Sequence, residues 1–382
     1  MEDDPLDRDA RIKLSIGTKQ PGSADGQFNY PYGLAFDHHR DLLFVVDRRN
    51  HRVQVFSCDD DDGGSFVSKF GELGQLGYTA DGIAIDHDHD RILVSDCQLG
   101  LVQSWSLSEQ SFLPSIYYYA IPDLEAYYPR GIAIDKHHHR IIITDTFDDR
   151  LVFLSSIDLS DLFEIGCSGS QPGEFHCPMG VAIDHDRHRI IVADTHNDRV
   201  QVLSSIDGSF LFEFGSLGKQ PGQLSNPQGV CIDNQGRIIV ADYYNHRLQA
   251  FTHEGHHISS FDCGSEYPVA VAFDEHRGLI AFSAGNRVHV IGANQWLVDT
   301  KFVWHPDRHR YAPSWIKQAV LTMTMIRSVI GECSAMSMIP NELLFEIFSH
   351  LEAPDHIAPC DRSRKSTTTT TTKKNKKKCA MM

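Results

Sequence analysis

Six aspartates divide most of this 382-residue chain into near-equal lengths. Each ends a short apolar run such as "GLAFD", "GIAID" or "GVCID", at positions 37, 86, 135, 184, 233 and 274. Four intervals of 49 residues and a last one of 41 mark an internal repeat. A repeat of this length is one supersecondary unit, which cannot bury both its faces alone and must stack on its neighbours. Within a unit, "RIIVAD" (189–194) is a second apolar run and "RVQVL" (199–203) alternates with period two. A fourth strand, "SFLFEFG" (209–215), and a Gly/Pro loop, "KQPGQ" (219–223), complete it. Four antiparallel strands per unit predict an all-β chain, a six-bladed β-propeller over residues 11–303. "RIKLSIG" (11–17) stands where a fourth strand would precede the first unit, and is expected to complete the sixth blade. "WLVDTKF" (296–302) competes for that place.

The units share P-x-G-[VIL]-[AC]-[FI]-D, followed by V-x-D-x-x-N-x-R-[VL]-Q. In these motifs the chain resembles the NHL-repeat family of six-bladed propellers, across residues 16–292. The second unit departs most, with Ala80 for the proline, Leu99 for the asparagine and Leu101 for the arginine. The sixth has Ala270 for the glycine, Ser283 for the second aspartate and one residue fewer before Arg287. Asp47, Asn50 and Arg52 recur as Asp194, Asn197 and Arg199 and as Asp242, Asn245 and Arg247. They flank the second hairpin, where asparagine tolerates a left-handed turn residue and aspartate and arginine can bridge by charge-assisted bonds. A trio repeated around a ring reads as structural, because catalysis needs an asymmetric site. Gly33, Gly82, Gly131, Gly180 and Gly229 open the innermost strands and are expected to allow close packing at the axis.

Function is expected where the repeats differ. Between proline and glycine stand Tyr32, Asp81, Arg130, Met179, Gln228 and Val269, at the mouth of the central channel. The second hairpin opens on the same face with Arg48, Arg49, Phe147, Asp148, His196, Tyr243 and Tyr244. Tyrosine, phenylalanine and arginine favour protein interfaces. The resemblance implies a ligand on this face, a peptide or single-stranded RNA. RNA would need a basic face with stacking aromatics. The formal net charge is −16, and the last nineteen residues contribute +7, which leaves −23 on the rest. So acidic a body disfavours nucleic acid.

Many of the 22 histidines fall in the turn between first and second strands: "DHHR" (37–40), "DHDHD" (86–90), "KHHHR" (136–140) and "DHDRHR" (184–189). These turns belong to the opposite face and are expected to radiate from the ring without converging, so no metal site is expected. "HEGHH" (253–257) matches H-E-x-x-H, but a strand, a Gly turn and another strand surround it, where the zinc chemistry needs a helix. No phosphate-binding loop or nucleophile elbow occurs, and no cofactor is expected. Nine scattered cysteines without C-x-x-C, an acidic N-terminus and no membrane-length apolar run suggest a cytoplasmic protein.

Residues 304–363 change period and read as helical. Ser314 can cap a helix bearing Trp315, Ala319, Met323 and Ile326. A second helix, "MIPNELLFEIFSHL" (338–351), carries a wide apolar stripe. Pro340, Glu342, Leu343, Leu344, Ile347, Phe348 and Leu351 resemble the start of an F-box, and the helix pair also resembles a SOCS-type box. Both resemblances imply an adaptor role in a cullin ubiquitin ligase, with a Skp-type adaptor or cullin as partner at Pro340, Leu343, Leu344, Ile347, Phe348 and Leu351. Residues 1–10 and the Thr/Lys-rich 364–382 are expected to be disordered, and "KKNKKK" could address the nucleus. The reading favoured is a non-enzymatic, protein-binding propeller linked to ubiquitination. A hydrolase or lyase with a site at the channel mouth and a single-stranded RNA regulator are the alternatives.

Overall fold

The computed structural model describes residues 6, 9, 11–58, 63–71, 76–116 and 128–297. Six four-stranded antiparallel sheets make the blades. Their innermost strands are Pro31–Asp37, Ala80–Asp86, Pro129–Asp135, Pro178–Asp184, Pro227–Ile232 and Pro268–Asp274, and each adjoins the next around the ring. The segments expected to be helical after residue 303, and the tail, lie outside the described residues.

The second strand of each blade explains the stacking. In Leu42–Asp47, Leu43 and Val45 face the sixth blade, whereas Phe44 and Val46 face the second. Successive side chains point to opposite faces, so a strand buried on both must be apolar throughout. The core is therefore six layers, one at each seam between blades. Outermost strands such as Phe210–Phe214 alternate between half-buried and exposed residues, as edge strands with one covered face should.

The ring is closed by the N-terminal segment. Ile12–Gly17 pairs antiparallel with Arg287–Gly292 as the fourth strand of blade 6. It ends as the outer strands of blades 1, 3 and 4 do: Gly17 has φ +100°, and Gly71, Gly166 and Gly215 have φ between +81° and +96°. A Cβ at Gly17 would lie 2.6 Å from the Asn286 carbonyl oxygen and 2.8 Å from the Phe28 ring. The competing segment begins instead in a helical turn, Ala293–Trp296, with Trp296 buried in the seam between blades 5 and 6 beside Leu6.

The repeated aspartate is the centre of a larger network than a trio. Asp194 is fully buried and accepts the His176 amide at 2.7 Å, Asn197 at 2.9 Å, Arg199 Nε at 2.7 Å and Gln201 at 2.9 Å. The remaining Arg199 N–H groups donate to the carbonyls of Ser170, Gln171 and Glu174 in the preceding loop and to the Glu213 carboxylate at 2.7 Å. One carboxylate thus ties a hairpin to the loop that enters its blade. In blade 2, Leu101 replaces the arginine, and Asp96 is held by the amides of Gly77, Gln98 and Leu99 and by Gln103. Burial pushes the Asp96 carboxyl above its ordinary pKa.

The structure corrects three expectations from sequence. The left-handed residue of the second hairpin is the one after asparagine: His51, Asp198 and His246, at φ 52–53°. Asn50 lies in a 3-10 turn, which lets its amide donate both to Asp47 and to the Gly22 carbonyl. In blade 6 the aspartate position is taken by Ala284, which pairs with Pro268 and Arg287 as Asp194 pairs with Pro178 and Arg199. The shortened hairpin there holds only Gly285 and Asn286, two residues fewer than in blade 1. Finally, the first-to-second-strand turns do converge. They leave the innermost strands, so neighbouring turns meet, and the His38 ring lies 5.1 Å from His87 and 4.9 Å from His276.

Deleting residues 1–17 removes Ile12, Leu14 and Ile16, whose burial is worth roughly 1.5–3 kcal/mol for each side chain fully covered. The thermal midpoint is expected to fall by about 5 °C or more; an unchanged midpoint would mean that another segment closes the ring. Asp194→Ala takes the shared acceptor from the His176 amide, Asn197, Gln201 and Arg199, leaves Arg199 with Glu213 as its carboxylate partner, and is expected to cost about 2–3 kcal/mol. Asp96→Asn, with no arginine to strand, should cost clearly less in the same denaturant titration.

Candidate functional site

The residues between proline and glycine meet on the axis. The glycine after each allows it: a Cβ at Gly33 would lie 2.2 Å from the Asp81 carbonyl oxygen of the next blade. Three hydroxyls brace the same layer. Ser95, Thr144 and Ser283 accept the amides of Gly82, Gly131 and Ala270 and donate to the carbonyls of Arg130, Met179 and Tyr32 on the following blade.

Tyr32 spans the axis. Its hydroxyl donates to Gln228 Oε1 at 3.1 Å, accepts from Arg130 at 3.2 Å and lies 3.9 Å from Met179 Sδ. The Arg48 guanidinium covers the Tyr32 ring at 5.0 Å, and its Nε stands 2.9 Å from Asp81. Asp81 is fully buried, lies 3.5 Å from Arg130 Nε and accepts the Cys97 thiol at 3.2 Å. Burial pushes the Tyr32 phenol, the Cys97 thiol and the Asp81 carboxyl upward, while Arg130 and Arg48 oppose this. Burial disfavours the Arg130 charge, but Tyr32 and Asp81 outweigh it and hold the guanidinium protonated.

This closed layer bounds a cavity of about 90 Å³, lined further in by the glycines and by Leu34, Ile83, Ile132, Val181, Val230 and Val271. Asp81 is its one carboxylate among the described residues, and it is committed to two arginines and a thiol. A single tied carboxylate cannot act as an acid–base pair, nor supply the ligand set of a metal.

Around the closed axis runs an aromatic rim, because the register pairs each blade's first proline with the residue that opens the second hairpin, Pro31 with Asp47 for instance. Arg49 lies over Tyr30 at 4.8 Å and Tyr78 at 6.0 Å. Phe147 packs on Tyr128 at 5.2 Å, and His196 on His176 at 5.0 Å. Tyr243, Tyr244 and Tyr267 form a cluster with Tyr243 4.8 Å from Tyr267. Burial, then the Tyr30 hydroxyl, pushes the Tyr243 phenol upward. Tyr78, Tyr128, Phe147, Tyr244 and Tyr267 remain 38–57% exposed.

Ten of the residues named from the sequence fall in two groups. Tyr32, Arg48, Arg130, Met179 and Gln228 seal the axis; Arg49, Phe147, His196, Tyr243 and Tyr244 form the rim. Sequence reasoning missed Tyr30, Tyr78, Tyr128, His176 and Tyr267. The signal was available: Tyr30, Tyr128 and Tyr267 each immediately precede the first proline of a unit. Cys97 was missed as well.

Among the described residues, three groups place metal-ligating atoms within 4.8 Å of one another. His176, Cys177 and His196 lie at the rim. His38, His39 and His87, and His38, Glu275 and His276, lie on the opposite face. Of the H-E-x-x-H match, His253 and Glu254 sit in the turn between strands Arg247–Phe251 and His257–Asp262, and His257 opens the second strand.

Residues 28–56, 175–203 and 224–251 match the NHL repeat, in blades 1, 4 and 5. No curated protein sequence matches the chain. Among solved structures it is similar to a gluconolactonase from Xanthomonas campestris, at 17% identity and TM-score 0.54, covering 69% of this chain and 86% of that one. It is similar to a virginiamycin B lyase from Staphylococcus aureus, at 12% identity and TM-score 0.51, over 73% and 98% of the two chains. A chain of a nidogen/laminin complex matches at 18% identity and TM-score 0.50, over 61% and 80%. At these identities the likeness establishes the propeller fold.

Proposed function

We propose that this propeller is a protein-recognition module whose binding surface is the aromatic rim. The observation that carries the reading is a set of exposed aromatic side chains surrounding an axis sealed by its own hydrogen bonds. Tyrosine and phenylalanine offer large, rigid contact area at little conformational cost. Enzymatic use of the axis has less support: about 90 Å³ is well below the roughly 300–1,000 Å³ of small-molecule sites. RNA binding also has less support, because Arg48 and Arg130 are both turned to the Asp81 carboxylate at the axis, which leaves Arg49 as the exposed arginine among the expected rim residues, on a body of strongly negative net charge. The nidogen/laminin neighbour is consistent with a fold that serves protein contacts.

The finer reading is that the bound protein is a ubiquitin-ligase substrate and that residues 338–351 hold a Skp-type adaptor or cullin. Its support is the resemblance of Pro340, Leu343, Leu344, Ile347, Phe348 and Leu351 to the start of an F-box.

Affinity capture separates the two parts. Phe147→Ala combined with Tyr244→Ala is expected to remove the partners held by the rim, with the thermal midpoint unchanged because both side chains are exposed; partners retained in full would overturn the rim as the binding surface. Deleting residues 338–351 is expected to abolish co-purification with a Skp-type adaptor or cullin while rim partners persist. If no such protein is lost, the ubiquitin reading falls and the recognition reading stands.

A further inference from the structure

On the face opposite the rim, the turns of blades 6, 1 and 2 bring four imidazoles together. His38 and His39 follow Asp37, His87 follows Asp86, and His276 stands two places after Asp274. Ring centroids are 4.2 Å apart for His39 and His87, 5.1 Å for His38 and His87, and 4.9 Å for His38 and His276.

Turn chemistry does not account for these rings. In blades 1 to 4 the side chain of the third residue of the turn serves the structure by binding the aspartate that ends the strand. His89 bonds Asp86 at 2.9 Å and His138 bonds Asp135 at 2.8 Å, while Arg40 and Arg187 reach Asp37 and Asp184. By contrast, no hydrogen bond among the described residues involves a ring nitrogen of His38, His39, His87 or His276. The nearest anionic groups are Glu275 Oε1, 3.7 Å from His38 Nε2, and Asp37 Oδ1, 3.7 Å from His87 Nε2.

We propose that this cluster is a binding site for one divalent transition ion of the Zn2+ type, with His38, His39 and His87 as ligands. Their ligand atoms already lie within 4.8 Å of one another. Zinc–nitrogen bonds of about 2.0–2.1 Å at tetrahedral angles require separations of about 3.3 Å. The remaining distance is a matter of side-chain rotation in surface turns. Imidazole selects a borderline ion over Ca2+ or Mg2+, which prefer oxygen ligands. Glu275 and Asp37 are placed as orienting carboxylates, each facing one ring nitrogen and leaving the other to the ion. The ligands come from blades 1 and 2, and the Glu275 carboxylate from blade 6, whose outer strand is the N-terminal segment. The ion would clasp the ring beside its closure.

The test is Zn2+ titration calorimetry on the metal-stripped full-length chain, with thermal melts in Zn2+ and in chelator. One ion per chain is expected to bind and to raise the thermal midpoint. His38→Ala and His87→Ala should each weaken binding by roughly 100-fold or more and abolish the rise. His196→Ala, in the rim cluster, should change neither. In chelator all three variants are expected to melt with the parent chain, and if one unfolds the other turn variant carries the test. Binding insensitive to His38→Ala and His87→Ala, or lost in His196→Ala instead, would overturn the proposal, as would the absence of a Zn2+-dependent rise in the parent.

Discussion

A buried carboxylate at the end of the second strand in five of the six blades holds the propeller together. In blades 1, 4 and 5 it accepts one backbone amide from the entering loop and side chains from an asparagine, an arginine and a glutamine. Such a group is costly to bury unless fully satisfied, and once satisfied it fixes everything it touches. Here it fixes the second hairpin, the loop and the first proline. Those are the elements that present the rim. The blades that depart from the pattern find substitutes: blade 2 uses backbone amides around Asp96, and blade 6 drops the carboxylate and shortens the hairpin.

The two ends of the ring differ for a geometric reason. On the rim face, the first strands begin, the axis is sealed by Tyr32 and its partners, and the outward hairpins carry aromatic side chains. On the other face, the first strands end, so their turns crowd near the axis, and the histidines there meet across seams. The same strand geometry thus produces a dispersed apolar surface at one end and a convergent imidazole cluster at the other.

Much of the fold was legible because its determinants are local. The apolar alternation in Leu42–Asp47 reflects two buried faces, and the regular aspartates mark strand ends. The N-terminal closure was legible as one of two alternatives, since "RIKLSIG" stands where a fourth strand would precede the first unit. Errors arose where one residue's role depends on a neighbour in space. Ser283 was assigned the aspartate's role by spacing, yet it braces Tyr32 of the adjoining blade. Asn50 was assigned the left-handed turn, yet its amide is needed by Asp47 and Gly22.

The sequence by itself determined the number of blades, the repeated aspartate–asparagine–arginine pattern of the second hairpin and the residues set near the mouth, because each follows from periodicity within one unit. Only the tertiary structure decided that Tyr32 reaches across to Gln228 and Met179 and seals the axis, that tyrosines before the prolines complete the rim, and that histidines nearly fifty or more residues apart converge. Those contacts run between blades, and their partners are set by how six units pack around one axis.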